Sequence, residues 1–343
     1  MKVALLGKVY TAVDLVGFWQ FVAGGQNYLG ILEKDEDATQ STLTILKSTD
    51  GRWEIIKTIS DEDTSIRAID SVPIGTDIVF GLELNGIGFT ALEIVRTELA
   101  ALLDPAHKAV PFESDADINL TDSQAQKVDL PVESWWNVAG PLAPERWLFS
   151  LQFVRGANTP QIIANTADGQ AMLFSPTAQP DLEAFSIPDA AEPQATIVNG
   201  QRVVAFKRYA ELYYPFRSLP QYRHGIGSPK GGDLMVTTDP ASPRNLSREL
   251  SIGPIIGYKM TISLEGHLWI FALIDAPVGT DVIALTQRGP AWTIAGKWSL
   301  DEEVYRISVE YGREHWHLVY GIPTKRGWSL QHQTWTGDSD RSS

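Results

Sequence analysis

The chain of 343 residues contains no cysteine. A disulfide, a thiolate metal site and a cysteine nucleophile are therefore excluded, and stability has to come from packing and hydrogen bonds. Long apolar runs are also missing, because no uncharged apolar run of about 20 residues occurs, so we predict no membrane span. The first seven residues resemble the start of a secretion signal, but Lys8 and Asp14 interrupt them and we interpret them as a strand. Cytoplasmic, exported and virion locations all remain open.

Basic residues are scarce, and the formal net charge is −14. This argues against binding to nucleic acid or to anionic membranes, since phosphate contacts are made by lysine and arginine. The excess of acidic over basic residues is not distributed evenly along the chain. Residues 30–200 hold 27 acidic and 10 basic side chains, whereas residues 200–250 hold 4 acidic and 8 basic ones. One segment of an acidic chain is thus locally basic, which makes it a candidate for binding an anion.

Several sequence motifs of enzymes are missing as well. The chain has no phosphate loop, no glycine-rich dinucleotide turn opening a helix, no Gly-x-Ser-x-Gly elbow and no His-Glu-x-x-His zinc motif. Nucleotide chemistry and serine hydrolysis are therefore disfavoured. No residue pattern requires a cofactor, and we predict neither a cofactor nor a metal.

Helical patterns are almost absent, apart from residues 97–103, which could form two helical turns after a strand. Strand patterns recur instead, as in residues 28–33, 41–47 and 53–59, with an Asp50-Gly51 pair before the last of these. Asx-Gly pairs favour two-residue hairpin turns, so such runs predict antiparallel meanders. The chain is therefore predicted to be all-β.

A repeat is visible in the last ninety residues. Residues 258–298 and 304–335 both read as a strand, a glycine turn, an aromatic-rich strand, a loop and a tryptophan-containing strand. The period of roughly 45 to 50 residues is that of a four-stranded propeller blade. We therefore predict a β-propeller of about six or seven blades, each with four antiparallel strands.

The predicted propeller is a single domain over residues 1–336. Long loops are expected near residues 104–129 and 176–195, where prolines are frequent and strand patterns are weak, and residues 337–343 are expected to form a flexible tail. The strand from Lys2 to Val9 should complete the last blade beside Gly327 to Trp335, because this pairing protects both terminal edges. Six aromatic side chains are predicted to be mostly buried between blades: Trp53, Trp147, Phe174, Trp269, Trp292 and Trp316.

The segment Ser48-Thr49-Asp50-Gly51-Arg52-Trp53 resembles a shortened Asp box, the Ser-x-Asp-x-Gly-x-x-Trp hairpin of sialidase-like propellers. It is two residues shorter than that motif. The stretch His315-Trp316-His317-Leu318-Val319-Tyr320 is similar in its residue pattern to inner strands of the same superfamily. The resemblance implies a propeller fold. It assigns no catalytic residue, because the Asp box is a structural turn.

Residues 202–224 contain four arginines, four tyrosines and a histidine. Guanidinium groups bind carboxylates, aromatic faces stack on sugar rings, and tyrosine or histidine can transfer a proton. We therefore predict substrate-binding roles for Arg208, Tyr222 and Arg223 and catalytic roles for Tyr213 and His224. Glu211 is a further possible acid or base. In the alternative interpretation these side chains line a blade surface and hold an inter-blade loop.

A second set consists of Tyr311, Glu314, His315 and His317. His315 and His317 should point to the same face of a strand, where they could bind one metal or flank one substrate. Two histidines without a third nearby ligand are weak support for zinc, so packing is the competing interpretation. The adjacent Trp135 and Trp136 could stack on sugars, although large aromatics are also needed in a propeller core.

Two functions are compatible with this sequence. The first is a carbohydrate-active propeller, a lyase or a glycosidase, that binds an acidic oligosaccharide or polysaccharide. In a lyase an arginine would neutralise the uronate carboxylate while a tyrosine or histidine removes a proton. The second is a non-catalytic module, lectin-like or part of a virion or other assembly, with protein partners. Propellers serve both purposes, so the fold does not separate them.

Overall fold

The computed structural model describes residues 2–34, 41–49, 52–61, 66–86, 89–104, 126–127, 148–159, 161–166, 169–174, 186–209, 231–312 and 315–336. These residues form six four-stranded sheets, in which the paired strands run antiparallel. Two short helices accompany the sheets: α1 (Leu99–Leu103) and α2 (Leu246–Glu249). No helix in the described part of the chain is long and apolar enough to cross a membrane.

The chain divides into two compact units. The first unit comprises Ala12–Asp168 and Met172–Ser186, and the second comprises Met1–Thr11, Gly169–Ala171 and Ile187–Ser343.

Three sheets belong mainly to the first unit. Sheet 1 consists of β2 (Asp14–Ala23), β3 (Gln26–Lys34), β4 (Ser41–Thr49) and β5 (Arg52–Asp61). Sheet 2 consists of β6 (Ile66–Ile74), β7 (Asp77–Gly86), β8 (Phe89–Glu98) and β9 (Gln126–Lys127). Sheet 3 consists of β10 (Leu148–Phe153), β11 (Ile162–Thr166), β12 (Ala171–Phe174) and β13 (Ser186–Ile187).

The first unit is held together by contacts between the first strands of successive sheets, since β2 contacts β6 and β6 contacts β10. Its core contains Trp19, Phe21, Tyr28 and Phe80, and α1 adds Leu102. In sheet 1 the hairpin of the Asp-box-like segment is present: Ser48 pairs with Trp53, and Thr49 pairs with Arg52. The two strands are thus paired as far as Thr49 and Arg52, and residues 50 and 51 lie outside the described residues.

The other three sheets belong to the second unit. Sheet 4 consists of β14 (Ala191–Val198), β15 (Gln201–Arg208), β16 (Asp233–Thr237) and β17 (Arg244–Asn245). Sheet 5 consists of β18 (Gly257–Ile262), β19 (Leu268–Asp275), β20 (Thr280–Arg288) and β21 (Ala291–Leu300). Sheet 6 consists of β22 (Arg306–Tyr311), β23 (Trp316–Thr324), β24 (Gly327–Thr336) and β1 (Lys2–Ala12).

The second unit repeats the same arrangement of first strands, because β14 contacts β18 and β18 contacts β22. Its two apolar clusters lie between neighbouring sheets. One is built from sheets 4 and 5, and the other from sheets 5 and 6. In sheet 6 the N-terminal strand β1 lies beside β24. The predicted pairing of the two terminal strands is therefore confirmed.

Part of the predicted loop near residues 176–195 is wrong, because Ser186–Ile187 and Ala191–Val198 are strands. The loop was predicted because prolines are frequent in this stretch. Pro193 lies on β14, the edge strand of sheet 4, where the register shifts between Ala191 and Gln194. Proline is tolerated on edge strands and at bulges, where no ladder hydrogen bond is lost. Similarly, Gln126–Lys127 within residues 104–129 forms the strand β9.

The predicted core aromatics are placed as follows. Trp292 and Trp316 are buried, as predicted, whereas Trp53 and Trp269 are partly buried. Trp53 belongs to the outermost strand of sheet 1 and is therefore covered less completely. Trp147 and the side chain of Phe174 lie outside the described residues.

Candidate functional site

The basic segment predicted from the sequence connects β15 to β16. Of its five predicted site residues, the structure describes Arg208; Tyr213, Tyr222, Arg223 and His224 lie outside the described residues. Both ends of the connection are described, since β15 ends at Arg208 and β16 begins at Asp233. The place in the fold from which this segment leaves is therefore known.

The two ends of the connection are packed tightly. Gly232 and Ile255 exchange two backbone hydrogen bonds, of 2.9 and 2.8 Å. A Cβ atom on Gly232 would lie 3.0 Å from the Arg208 carbonyl oxygen, and one on Gly231, whose φ is +70°, would lie 2.8 Å from the Ile255 carbonyl oxygen. Glycine is thus required at this close approach of the two backbones.

The segment leaves sheet 4 at a defined end. Because β14 and β15 are antiparallel, the end of β15 lies at the same end of the sheet as the start of β14. The start of β18 in sheet 5 is also at this end, since its Tyr258 hydroxyl reaches the Glu192 carbonyl oxygen near the start of β14. We call this the loop end of the sheets. Residues of sheet 5 therefore lie near the two ends of the segment that connects β15 to β16.

Arg208 faces away from Lys207, because successive strand residues point to opposite faces. Its guanidinium carbon lies 5.3 Å from the ring centroid of Phe206, in a cation–π contact. The Nε atom is buried and has no hydrogen-bond acceptor among the described residues. The Phe206 ring is therefore one of the groups that hold the Arg208 side chain.

Lys207 lies on the face of β15 opposite to Arg208, where it contacts several polar groups. Its side chain is 1% exposed, and its Nζ atom lies 2.7 Å from Glu192 Oε1. The same ammonium group donates to the carbonyl oxygen of Ile256 at 3.0 Å and lies 5.6 Å from the ring centroid of Tyr209. Burial alone would lower the pKa of Lys207, but the Glu192 carboxylate and Tyr209 outweigh burial and raise this pKa. The lysine is thus a buried group whose charged form is stabilised, and it lies where the segment leaves β15.

Glu192 has an unusual backbone. Its φ is +50°, in the left-handed region, and it lies within the bulge of β14 where the register with β15 shifts. A side chain other than glycine costs about 1 to 2 kcal/mol in this conformation. The Tyr258 hydroxyl lies 2.6 Å from the Glu192 carbonyl oxygen and 2.8 Å from that of Ala205, so it can donate to either. Non-glycine residues held in rare conformations are frequent at functional sites.

Together these contacts define an anchored polar cluster of Glu192, Lys207, Tyr209 and Tyr258. Gln194 adds a link between the sheets, because its amide donates to the Tyr258 carbonyl oxygen and accepts from the Met260 N–H. Burial raises the pKa of Tyr258, so its hydroxyl stays protonated and remains a donor. The cluster can therefore present a fixed carboxylate at the loop end of sheet 4.

In the second predicted set, His317 has a further partner that was not predicted. His317 contacts His332 of β24: Nδ1 of His317 lies 3.1 Å from Nε2 of His332, and the stacked rings have centroids 5.2 Å apart. Burial, followed by neighbouring histidines, lowers the pKa of His317 to about 4 and that of His332 to about 3. No group of three potential metal ligands occurs in the described part of the chain.

This histidine pair does not belong to the polar cluster. His317 pairs with Glu310, four residues from the start of β22. A Cβ atom on Gly257, the first residue of β18, would lie 2.9 Å from the carbonyl oxygen of Tyr305, which precedes β22, so the start of β22 is also at the loop end. At about 3.3 Å per residue, the position of His317 is roughly 13 Å along the strand from this end. Glu314 lies outside the described residues. The two candidate sets of the sequence therefore do not form one site from their described members.

Glu192 and Tyr258 were not predicted as site residues. One pattern pointed to part of the cluster: Val203, Ala205 and Lys207 share one face of β15, and a lysine on an apolar face requires a counter-ion. Glu192 gave no such indication, since it precedes a proline in a segment predicted as a loop. Its role depends on a bulge that only the folded chain reveals.

Comparison with known proteins places the fold in a known class. No family model matches the chain, and no curated protein matches it. A Trypanosoma rangeli sialidase in complex with 2,3-difluorosialic acid aligns with 94% of this chain at 8% identity and a TM-score of 0.58. A mutant α-L-arabinofuranosidase from Fusarium graminearum, in complex with an iminosugar inhibitor, aligns with 96% of this chain at 9% identity and a TM-score of 0.54.

These alignments differ in how much of the other protein is covered. The chain spans 54% of the sialidase and 97% of the arabinofuranosidase. Identities this low show likeness of fold and not of activity. The chain therefore has the β-propeller fold of these proteins, with antiparallel four-stranded sheets.

Proposed function

We propose that this propeller is a carbohydrate-active protein that binds an acidic glycan at the loop end of sheet 4. Each four-stranded sheet is proposed to be one blade, giving six blades in a single domain over residues 1–336. The observation that carries the proposal is the anchored polar cluster at the base of the basic segment. The ion pair between the buried Lys207 and Glu192, whose backbone is left-handed, lies where this segment joins β15, and residues 209–224 of the segment contain two arginines and four tyrosines.

The roles within the site follow the chemistry of the side chains. Arg208 and Arg223 bind the ligand carboxylate, and Tyr222 stacks on a sugar ring. Tyr213 and His224 are the groups for proton transfer. The proteins of similar fold support this ligand class, since a sialidase and an arabinofuranosidase are both named for acting on glycosides.

Calorimetric titration with trigalacturonate, sialic acid and the neutral arabinotriose tests this proposal. We expect the parent protein to bind an acidic sugar more tightly than the neutral one. Arg223→Lys keeps the charge but loses the planar fork, so affinity should fall, and Tyr213→Phe should leave affinity nearly unchanged while abolishing any turnover. The control is Arg244→Lys, because Arg244 is exposed and pairs with Glu249.

Turnover is measured separately from binding. A lyase would produce an unsaturated sugar with ultraviolet absorbance, and a glycosidase would release new reducing ends. Binding without either product would support a lectin-like protein. The absence of binding to every probe would contradict the glycan proposal and favour the assembly module.

A further inference from the structure

We infer that the connection between β21 and β22 forms, together with Tyr320 of β23, a binding site for an ammonium group such as that of an amino sugar. The site consists of Asp301, Glu302 and the Tyr320 hydroxyl and lies at the loop end of sheets 5 and 6. All of its residues belong to the second unit. It is separate from the basic segment and does not depend on the proposed function.

The connection between β21 and β22 is held against sheet 5 at both ends. The Val304 N–H donates to the Thr280 hydroxyl at 2.9 Å. At the other end, a Cβ atom on Gly279, whose φ is +70°, would clash with the Leu300 carbonyl oxygen, so glycine is required at this close approach. The acidic residues between these two points therefore have a defined backbone position.

Three acidic side chains follow one another in this connection. Asp301, Glu302 and Glu303 are exposed, and Asp301 and Glu302 form no ion pair within the part of the chain that the structure describes. Asp281 of the same sheet differs, because Lys297 lies 2.8 Å from its carboxylate. The charges of Asp301 and Glu302 are thus not neutralised by a described basic side chain, which favours a cationic ligand.

Tyr320 supplies an observation that is independent of these charges. The residue is 2% exposed and packs in the apolar cluster that also contains Leu300 and Val304, which lie on either side of the three acidic residues. Its hydroxyl has no hydrogen-bond partner among the described residues, although polar groups of buried side chains normally have one. Burial, followed by the charges of Glu302 and Asp301, raises the pKa of Tyr320 to about 12. A protonated hydroxyl without a partner thus lies close to two carboxylates.

The chemistry of these three groups fits an ammonium group. Each carboxylate accepts hydrogen bonds, and the tyrosine oxygen can accept another, so three acceptors match the three N–H donors of an ammonium group. A metal ion fits less well, since no group of three potential metal ligands occurs in the described residues. A ligand carboxylate would be repelled by both acidic side chains. Because these side chains are exposed, binding should weaken as the salt concentration rises.

Calorimetric titration with the glucosamine trisaccharide and with its N-acetylated form tests the inference. At about pH 6 the amines are protonated, whereas the acetamides carry no charge. We expect the parent protein to bind the amine form and to bind the acetylated form at least about tenfold more weakly. Spermidine is the third probe. Binding equal to that of the amine sugar would show that the ammonium group is sufficient, and weaker binding would show that the sugar ring adds contacts; the site binds an ammonium group in both cases.

Variants of the site identify the groups that bind. Tyr320→Phe removes the hydroxyl and keeps the buried ring, so affinity for the glucosamine trisaccharide should fall about two- to tenfold. Glu302→Gln and Asp301→Asn each remove a charge-assisted acceptor from an exposed position, and each should lower affinity about five- to tenfold. The matched control is Glu265→Gln, which removes an equal charge from an exposed side chain in the turn after β18, at the other end of sheet 5. This control should bind like the parent.

General attraction of cations by an acidic protein is the competing explanation. It would weaken binding equally in Glu302→Gln and Glu265→Gln and would leave Tyr320→Phe unaffected, so this pattern would overturn the site. Circular dichroism verifies that Tyr320→Phe is folded, and the two exposed variants test the site without altering the core. Failure of the parent to bind the amine form would also overturn the inference. The proposed function would be untouched, because the titrations with trigalacturonate and sialic acid test it separately.

Discussion

The indole of Trp19 occupies the space that a side chain at Gly30 would fill. The two residues are cross-strand partners in β2 and β3, and a Cβ atom on Gly30 would lie 2.6 Å from Cε2 of Trp19. Trp19 is 3% exposed, and its Nε1 donates to the Ser71 hydroxyl of sheet 2. The missing side chain at position 30 thus allows one tryptophan to join two neighbouring sheets of the first unit.

Gly30→Ala should therefore destabilise the protein. The added methyl group has to displace a buried ring, and overpacking of this kind costs typically about 1 to 3 kcal/mol. Urea denaturation measures the loss. In the double variant with Trp19→Phe the smaller ring makes room, so the combined loss should be less than the sum of the two single losses. An unchanged urea midpoint for Gly30→Ala would show that the ring does not occupy this space.

A buried ion pair joins sheets 2 and 3. Asp70, which is 1% exposed, accepts from Arg155 at 3.1 Å and from the Phe153 N–H at 2.8 Å. Asp70→Asn should cost about 3 to 5 kcal/mol of unfolding free energy, because it leaves the arginine without its carboxylate. The control is Arg244→Met at the exposed pair with Glu249, where the loss should be about 1 kcal/mol or less. Equal effects of the two variants in urea denaturation would contradict this.

The sheets were predictable from the sequence because their turns and alternation are local properties. Asp50-Gly51 predicted a reversal that the pairing of Thr49 with Arg52 confirms. The pairing of β1 with β24 followed from a general argument about exposed edges and is also confirmed. Each of these predictions needed only neighbouring residues or a rule that holds for any sheet.

The polar cluster was less predictable because it depends on contacts between sheets. The bulge at Glu192 places a glutamate in a conformation typical of glycine, and nothing in the local sequence requires this. Its stabilising partners, Lys207 and Tyr258, are 15 and 66 residues away in the sequence. The same limit applies to His317: its neighbour His315 was apparent in the sequence, but its contact with His332 arises from strand register.

Trp269→Ala should lower stability through the aromatic core between sheets 5 and 6. The ring lies 5.1 Å from that of Trp316 and 5.5 Å from that of Trp335, measured between centroids. Replacement of a core tryptophan by alanine costs about 3 to 5 kcal/mol, and the partial exposure of Trp269 places the expected loss at the lower end. Trp53→Ala, on an outermost strand, should cost less. A melting curve for Trp269→Ala that matched the parent's would place this ring outside the core.

The stacked histidines predict how stability depends on pH. An unfolded histidine takes up its proton near pH 6.5, whereas the folded pair resists protonation until about pH 4 for His317 and about pH 3 for His332. The unfolded chain therefore binds more protons between these limits. The contribution of the pair is complete above pH 6.5 and is lost as the pH falls toward 4, by at most about 1.4 kcal/mol per pH unit for each histidine.

Other groups titrate in the same range, so the informative quantity is the difference between variants. His332→Gln removes one buried titrating ring and should make the free energy of unfolding less dependent on pH between 6.5 and 4.5, as measured by urea denaturation at several pH values. His267→Gln is the control, because His267 is exposed before β19 and does not belong to the stacked pair. A slope for His332→Gln that equals the parent's would mean that the pair is already protonated in the folded protein or is open to solvent.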